Sequence, residues 1–103
     1  MPFIHFINSD EEVVKKFAEE KLEEFSILSG ATLENIYIIN QNSKIINQQS
    51  SSYIKIDWMP RDTKVEEAVV EFLKKFLCTQ GYEKSAVYFN EIDRSHYHLG
   101  KLL

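Results

Sequence analysis

The sequence predicts an α+β fold of two β-α-β units, joined into a four-stranded mixed sheet with two helices on one face. Runs of aromatic and β-branched residues alternate with two amphipathic segments in the order β-α-β-β-α-β. The two halves also resemble each other: Ile4 corresponds to Ile54, and Asp10 to Asp62. A strand that returns parallel to its partner through a helix crosses over right-handedly, so both helices should cover the same face.

In the first half, residues 1–8 read as a strand, and Pro2 is tolerated because the first position of a strand need not donate a ladder hydrogen bond. Ser9 or Asp10 can cap a helix that ends at Gly30, a residue type preferred after a helix C-terminus. Residues 35–40 read as the second strand. The helix has one apolar stripe, formed by Val14, Phe17, Ala18, Leu22, Phe25 and Leu28.

The second half follows a polar segment, residues 41–52, whose composition predicts a loop. A third strand is predicted over residues 53–58, and a helix from Asp62 or Thr63 to Gly81. A fourth strand over residues 86–91 precedes a short C-terminal segment. The outer face of the first strand carries Phe3, His5 and Ile7 and is not clearly polar, which predicts self-association of the sheet.

Length and composition restrict the class of protein. A chain of 103 residues with 44% hydrophobic residues is expected to form one folded domain over residues 1–103. Its net charge of −4, with acids and bases interspersed, disfavours nucleic acid and anionic membranes as partners. Without a long apolar run or a charged leader, we expect a soluble cytoplasmic protein. A domain this small leaves little room for a deep cleft, so a ligand site between subunits is favoured.

The first residue with distinctive chemistry is Pro2. If Met1 is removed, Pro2 carries a secondary α-amine that is rigid in its ring and fixed at the start of a strand. An ordinary α-amine titrates at about 7.7–8.0, and burial or nearby cations lower that pKa, whereas lysine titrates at about 10.4. Pro2 could therefore act as a neutral base near pH 7. A proline after the initiator methionine is also common, and strand geometry alone permits it.

Three further side chains are candidates for binding. Arg61 lies between a strand and a helix, where its guanidinium could clamp a carboxylate or simply pair with Asp57 or Asp62 at the surface. Tyr88 and Asn90 alternate onto one face of the last strand. They could line a polar pocket or hydrogen-bond a neighbouring chain.

Metal and cofactor chemistry is not predicted. His96 and His98 stand two residues apart and His5 lies elsewhere, but no third ligand has a telling spacing. Glu91 and Asp93 could form an acid–base pair, although surface carboxylates are the simpler interpretation. The sequence has no glycine-rich phosphate loop, so we expect no metal and no cofactor.

The Met-Pro start, the doubled β-α-β plan and the C-terminal run resemble the tautomerase superfamily, which includes 4-oxalocrotonate tautomerase and macrophage migration inhibitory factor. The resemblance covers nearly the whole chain apart from residues 41–52. It is strongest to a small bacterial branch of unassigned function, with a Met-Pro start, an aspartate- and tryptophan-containing third strand, and a final run like Asn90-Glu91-Ile92-Asp93-x-Ser95-x-Tyr97.

The resemblance implies a homotrimer whose sheets form a barrel-like core, with sites at subunit contacts. It assigns the role of base or nucleophile to Pro2 and of carboxylate binding to Arg61. Tyr88 and Asn90 match residues that approach the proline of a neighbouring subunit, and Tyr97 matches an aromatic residue that closes the pocket. The implied reaction is keto–enol isomerisation of a small 2-keto acid or related carbonyl compound.

The sequence departs from the family where cations are expected. Glu12 or a neighbour stands at the arginine position of the first repeat, and Ala31 and Ala86 replace basic residues. Two alternatives therefore stay open: a non-catalytic ligand-binding or assembly module with the same trimeric fold, and a ferredoxin-like monomer with the same order of elements.

Overall fold

A computed structural model describes residues 2–93 and 95. Within them the chain alternates between strands and helical segments, and a short 3-10 turn, Leu33–Asn35, precedes the second strand. The elements are β1 (Phe3–Ile7), α1 (Glu11–Glu20), α2 (Leu22–Ser29), β2 (Tyr37–Gln41), β3 (Ser51–Trp58), α3 (Thr63–Thr79) and β4 (Lys84–Glu91). The predicted α+β class is confirmed, although the first predicted helix is divided into α1 and α2.

The four strands form one mixed sheet in the order β2-β1-β3-β4. β1 is parallel to β2, and β3 is parallel to β4, while the central pair β1 and β3 is antiparallel. Each β-α-β unit therefore places its two strands side by side. This arrangement rules out the ferredoxin-like alternative, because that fold splits each β-α-β unit with an intervening strand.

Aromatic packing between the helices and one sheet face forms the core. Phe17 of α1 lies at its centre, with its ring centroid 5.2 Å from that of Phe6 in β1 and 5.3 Å from that of Phe76 in α3. The Phe25 ring of α2 approaches the same side chain edge-on at 6.3 Å. Such tilted and edge-to-face pairs are favourable geometries for aromatic rings, so this cluster holds all three helices to the sheet.

The predicted single helix over residues 10–29 is wrong at Lys21, where the backbone has φ −117° and ψ −4°. A continuous helix would place Lys21, four residues after Phe17, on the buried stripe. The break leaves the lysine side chain 37% exposed, with its Nζ 3.6 Å from Glu24, while Phe25 remains fully buried. Gly30 ends α2 with φ 77°, as predicted for a C-terminal glycine.

The predicted loop over residues 41–52 is also wrong at its end, since β3 begins at Ser51. Ser51 pairs with Lys84, and Ser52 is buried with its hydroxyl 2.7 Å from that of Ser9. Because this hydrogen bond satisfies the buried hydroxyl, a polar residue can continue the strand. β2 begins two residues later than predicted, because the 3-10 turn occupies residues 33–35.

The second face of the sheet is covered by no helix of the described residues. Its rim is aromatic, with Phe3 and Tyr37 stacked at 4.9 Å, but its centre is polar, because His5 and Asp57 are hydrogen-bonded there. The expectation of an apolar second face therefore holds for the rim only. We call this surface the open face. Within the described part of the chain, no helix has both the length and the apolarity needed to cross a bilayer.

Candidate active site at the start of the first strand

Pro2 lies directly before β1 and is fully buried. Its carbonyl oxygen accepts a hydrogen bond from the Tyr37 amide at 3.0 Å, which ties the start of β1 to β2. Phe3 pairs with Asp57 and with Tyr37, so extending both registers by one residue sets Pro2 beside Trp58 on one side and Ile36 on the other. Because side chains alternate along a strand, the Pro2 ring shares the helix-covered face with Ile4.

Trp58, the last residue of β3, is fully buried. Its ring stacks on that of Phe89 at 4.7 Å with an interplanar angle of 3°. Its carbonyl oxygen accepts a hydrogen bond from the Ile92 amide at 2.7 Å, which fixes the end of β3 against the residue after β4. The indole Nε1 is buried and has no hydrogen-bond partner among residues 2–93 and 95.

Arg61 lies over this tryptophan, with its guanidinium carbon 4.9 Å from the ring centroid, a cation–π distance. Its Nε donates to the Ser29 carbonyl at 3.0 Å and its Nη1 to the Met59 carbonyl at 2.6 Å. The surface interpretation of Arg61, as a partner of Asp57 or Asp62, is wrong: it satisfies a carbonyl at the end of α2 instead. Burial lowers the pKa of Arg61, but an arginine stays protonated at neutral pH.

Tyr88 and Asn90 both lie on the open face of β4, and the Tyr88 side chain is half-exposed. The Asn90 amide nitrogen donates to Asp57 Oδ1 at 3.0 Å. Pro2 and Trp58 belong to the opposite face, so one chain does not bring Tyr88 and Asn90 together with Pro2. The candidate residues thus form two groups: Pro2 with Arg61 at one end of the sheet, and Tyr88 with Asn90 on the open face.

Asp57 is the centre of a polar cluster on the open face that sequence reasoning missed. His5 Nε2 lies 2.9 Å from its Oδ2, and Lys55 Nζ lies 3.7 Å from its Oδ1. Burial raises the pKa of the Asp57 carboxyl, but hydrogen bonds from Asn90 and His5 and the charge of Lys55 outweigh it, so the pKa lies below its usual value. The sequence positions of His5 and Asp57 could have predicted this contact, because antiparallel pairing of β1 and β3 puts both side chains on one face.

The remaining candidates lie at the C-terminal end. Tyr97, His96 and His98 fall outside the described residues. Glu91 is exposed at the end of β4, and Asp93 Oδ1 accepts a hydrogen bond from the Ser95 amide at 3.0 Å.

Two cavities of the described chain lie away from Pro2. A groove of about 820 Å³ runs beside α3, with Val70 and Phe89 among its lining residues. A polar cleft of about 540 Å³ lies at the opposite end of the sheet and includes Asn8, Glu11 and Asn40. Among the described lining residues of the groove, Phe89 contacts the candidate site, through its stacking on Trp58. A pocket enclosing Pro2, Arg61, Tyr88 and Asn90 would require more than one chain.

The sheet order, the paired β-α-β units and the proline before β1 define the class of tautomerase-like folds that includes macrophage migration inhibitory factor. The chain belongs to the family described as "Domain of unknown function (DUF1904)", which it matches over residues 1–101. The resemblance to the tautomerase superfamily inferred from the sequence is confirmed at the level of the fold by solved structures of such proteins. Among proteins with curated descriptions, none matches this sequence.

Solved structures agree with this placement. A DUF1904 domain from Sebaldella termitidis has a TM-score of 0.88 at 14% identity, with 96% of this chain and 95% of that one covered. A macrophage migration inhibitory factor-like protein from Entamoeba histolytica has a TM-score of 0.69 at 15% identity, covering 96% and 93%. A structure described as a fused 4-OT wild-type asymmetric trimer has a TM-score of 0.71 at 12% identity, covering 96% and 91%. At these identities the similarity is one of fold.

Proposed function

We propose that this protein is a tautomerase that interconverts the keto and enol forms of a small 2-keto acid or related carbonyl compound, with Pro2 as the base. The observation that carries the proposal is the placement of Pro2 at the start of β1 beside Trp58, whose ring lies under the Arg61 guanidinium. A nitrogen base and a carboxylate-binding cation thus flank one aromatic side chain. Keto–enol isomerisation of a 2-keto acid needs these two groups, a base that takes the proton and a cation that binds the carboxylate.

The chemistry requires removal of Met1, because an amide nitrogen has no basicity. The amine of Pro2 would then accept the proton of the enol hydroxyl while the carbonyl double bond forms. The C2–C3 double bond of the enol opens toward C3, the carbon next to the carbonyl, and C3 takes the proton back from the protonated nitrogen, which leaves the base unchanged after each turnover. An ordinary α-amine has a pKa of about 7.7–8.0, so near pH 7 a fraction of it is neutral, the form that accepts a proton.

We further propose that the working unit is a homotrimer in which Tyr88 and Asn90 of one subunit complete the site at Pro2 of another, with Tyr97 as an aromatic wall. Support comes from the separation of the two groups on opposite faces of one sheet and from the open face, which no helix of the described residues covers. Two similar structures, both fused 4-OT proteins, are described as trimers.

The test is Pro2→Ala, with activity assayed on the enol forms of simple 2-keto acids. Loss of a general base typically lowers the rate by about 10²–10⁴. Pro60, the only other proline of the chain, provides the control Pro60→Ala, because it lies exposed after β3. Intact mass should first establish that Met1 is absent, and circular dichroism that both variants fold. An unchanged rate in folded Pro2→Ala would refute the assignment.

A second candidate is a non-catalytic ligand-binding or assembly module with the same fold. One observation favours it: Arg61 already donates two hydrogen bonds to backbone carbonyls, and the Pro2 side chain is fully buried. Both residues could therefore serve only to close the end of the sheet. A protein that assembles normally but retains Met1 when purified, and that shows no ketonisation activity, would select this candidate.

A further inference from the structure

The Trp58 indole presents a polar atom that the fold itself leaves unsatisfied. The side chain is fully buried, and Nε1 has no acceptor among the described residues. A buried tryptophan N–H usually has a partner, so an exception needs an explanation. Phenylalanine could fill much of this position and stack on Phe89 without carrying an unpaired donor. The indole nitrogen is therefore a candidate ligand-binding group.

The surroundings of this nitrogen indicate what it could bind. The register sets Pro2 beside Trp58, and the Arg61 guanidinium lies over the indole ring. Arg61 uses Nε and Nη1 for the carbonyls of Ser29 and Met59, and its Nη2 has no hydrogen-bond partner in the described ranges. One neutral N–H donor and one guanidinium nitrogen thus belong to side chains in direct contact.

We propose that Trp58 is a ligand-binding residue whose Nε1 donates a hydrogen bond to a carboxylate oxygen of a 2-keto acid, with Arg61 Nη2 donating to the same carboxylate. The inference rests on the proposed function and narrows its substrate class. A single guanidinium neutralises a single carboxylate, which favours a monoanionic 2-keto acid over a dianion. The Phe89 ring, stacked on the indole, holds the donor in a fixed plane.

The Pro2 nitrogen, which the register sets beside Trp58, is an amide in the unprocessed chain and a free amine after removal of Met1. The proposed function requires the free amine, so the binding tests use the processed protein. A variant with an uncleaved N-terminal extension serves as the unprocessed control.

Trp58 is the only tryptophan of the chain, so a ¹H–¹⁵N spectrum contains one indole cross-peak, which can be assigned without further mutation. The processed protein would be titrated with pyruvate as the monoanionic probe, and with acetone as a carbonyl compound without a carboxylate. We expect pyruvate to move the indole proton downfield with saturation, and acetone to leave it unchanged. In the control with the uncleaved extension, the indole proton should not move with either compound.

Calorimetry on variants gives the second readout. Trp58→Phe keeps an aromatic ring but removes the N–H, and we expect pyruvate to bind about tenfold more weakly, which corresponds to about 1.4 kcal/mol. Tyr53→Phe is the matched control, because it removes an aromatic hydroxyl from the same strand on the open face; its affinity should equal that of the wild type. If Trp58→Phe does not fold, the cross-peak of the wild-type protein decides.

The outcomes separate this inference from the proposed function. If pyruvate binds but the indole cross-peak does not move, or if Trp58→Phe binds pyruvate with unchanged affinity, the role of Trp58 is overturned. Either result leaves the proposed chemistry of Pro2 intact. Absence of pyruvate binding to the processed protein overturns both the role of Trp58 and the proposed substrate class.

Discussion

His5 and Lys55 occupy equivalent positions in the two halves of the chain and face each other directly across the central antiparallel strands. Ile4 likewise pairs with Ile56, and Phe6 with Ile54, so each residue of β1 meets a residue of the other repeat. The approximate twofold axis of the duplication therefore passes between His5 and Lys55. His5 and Lys55, two members of the polar cluster on the open face, lie on either side of this axis.

The duplication gives the candidate site a counterpart at the opposite end of the sheet. With the 50-residue offset that relates His5 to Lys55, the counterparts of Pro2 and Trp58 are Ser52 and Asn8. Asp10 and Asp62 both precede a helix, so the counterpart of Arg61 is Ser9. Asn8 and Ser9 line the polar cleft of about 540 Å³. The two ends share a backbone plan but differ in chemistry, because only one of them combines a proline, an arginine and a buried indole.

The first prediction concerns Asp57 and pH. A carboxyl whose folded pKa is lowered stabilises the fold fully above its unfolded pKa of about 3.9, and this contribution is lost as the pH falls through the folded value. Asp57→Asn should therefore lower the free energy of unfolding by about 1–3 kcal/mol at pH 7, since hydrogen bonds to a charged group are lost. The difference from the wild type should shrink below about pH 4.

Urea denaturation at pH 7 and pH 3 measures this effect. Glu34→Gln is the control, because Glu34 is an exposed carboxylate in the 3-10 turn and its neutralisation should change stability little at either pH. A stability difference for Asp57→Asn that is the same at both pH values would contradict the prediction.

The second prediction concerns Arg61. Arg61→Lys keeps the charge but loses the planar group that stacks on Trp58 and reaches two carbonyls at once. We expect a loss of about 2 kcal/mol in the free energy of unfolding, within the range for hydrogen bonds to charged groups. Lys64→Ala, an exposed basic residue in the first turn of α3, is the comparison and should cost much less. Equal losses in the two variants would show that Arg61 has no special role in the fold.

Much of the fold was predictable, because the spacing of apolar residues that distinguishes strands from helices is set by residues close together in the sequence. The parts that were missed depend on contacts between distant residues. The break at Lys21 reflects how Phe17 and Phe25 pack on the sheet, and the early start of β3 reflects a hydrogen bond between Ser9 and Ser52.

The internal repeat shows the same limit. Sequence similarity aligns Tyr37 with Tyr88, but in the sheet Tyr37 lies beside Phe3 and Tyr88 beside Lys55, two residues out of step. A register shift of two residues keeps each side chain on the same face of the sheet. The placement of Tyr88 on the open face was therefore predictable, although its neighbour in the adjacent strand was not.

The candidate site was predictable only in part. Pro2 and Arg61 stand out by residue type and by resemblance to a family. Trp58 does not, because its proximity to Pro2 follows from the antiparallel pairing of β1 with β3, which joins residues more than fifty positions apart. Its unpaired Nε1 is a property of three-dimensional packing that no local pattern reveals.

The third prediction tests self-association through the open face. Tyr88 is 52% exposed there, and Tyr88→Glu should prevent assembly because a carboxylate would have to be buried without a partner. Sedimentation should then give a monomer near 12.1 kDa instead of a trimer. Ile27→Glu introduces the same charge at an 81% exposed position on α2 and should leave assembly intact. Dissociation by Ile27→Glu alone would place the interface on the helices.

The last prediction concerns Asn8, the only described residue other than glycine with a positive φ, at 61°. Asparagine tolerates this conformation better than most residues, and its amide nitrogen also donates to the Ser51 carbonyl at 2.6 Å. Asn8→Ala loses both advantages and should lower the free energy of unfolding by about 2 kcal/mol. Asn8→Gly removes the same hydrogen bond but adopts the positive φ freely, so it should recover part of that loss.

Thermal or urea denaturation of both variants separates the contribution of the hydrogen bond from that of the backbone conformation. Asn42→Ala, in the exposed segment after β2, is the control and should be nearly neutral. If alanine and glycine are equally destabilising, the side-chain hydrogen bonds of Asn8 to Ser51 and Gln49 account for the effect, and backbone strain at Asn8 makes no contribution.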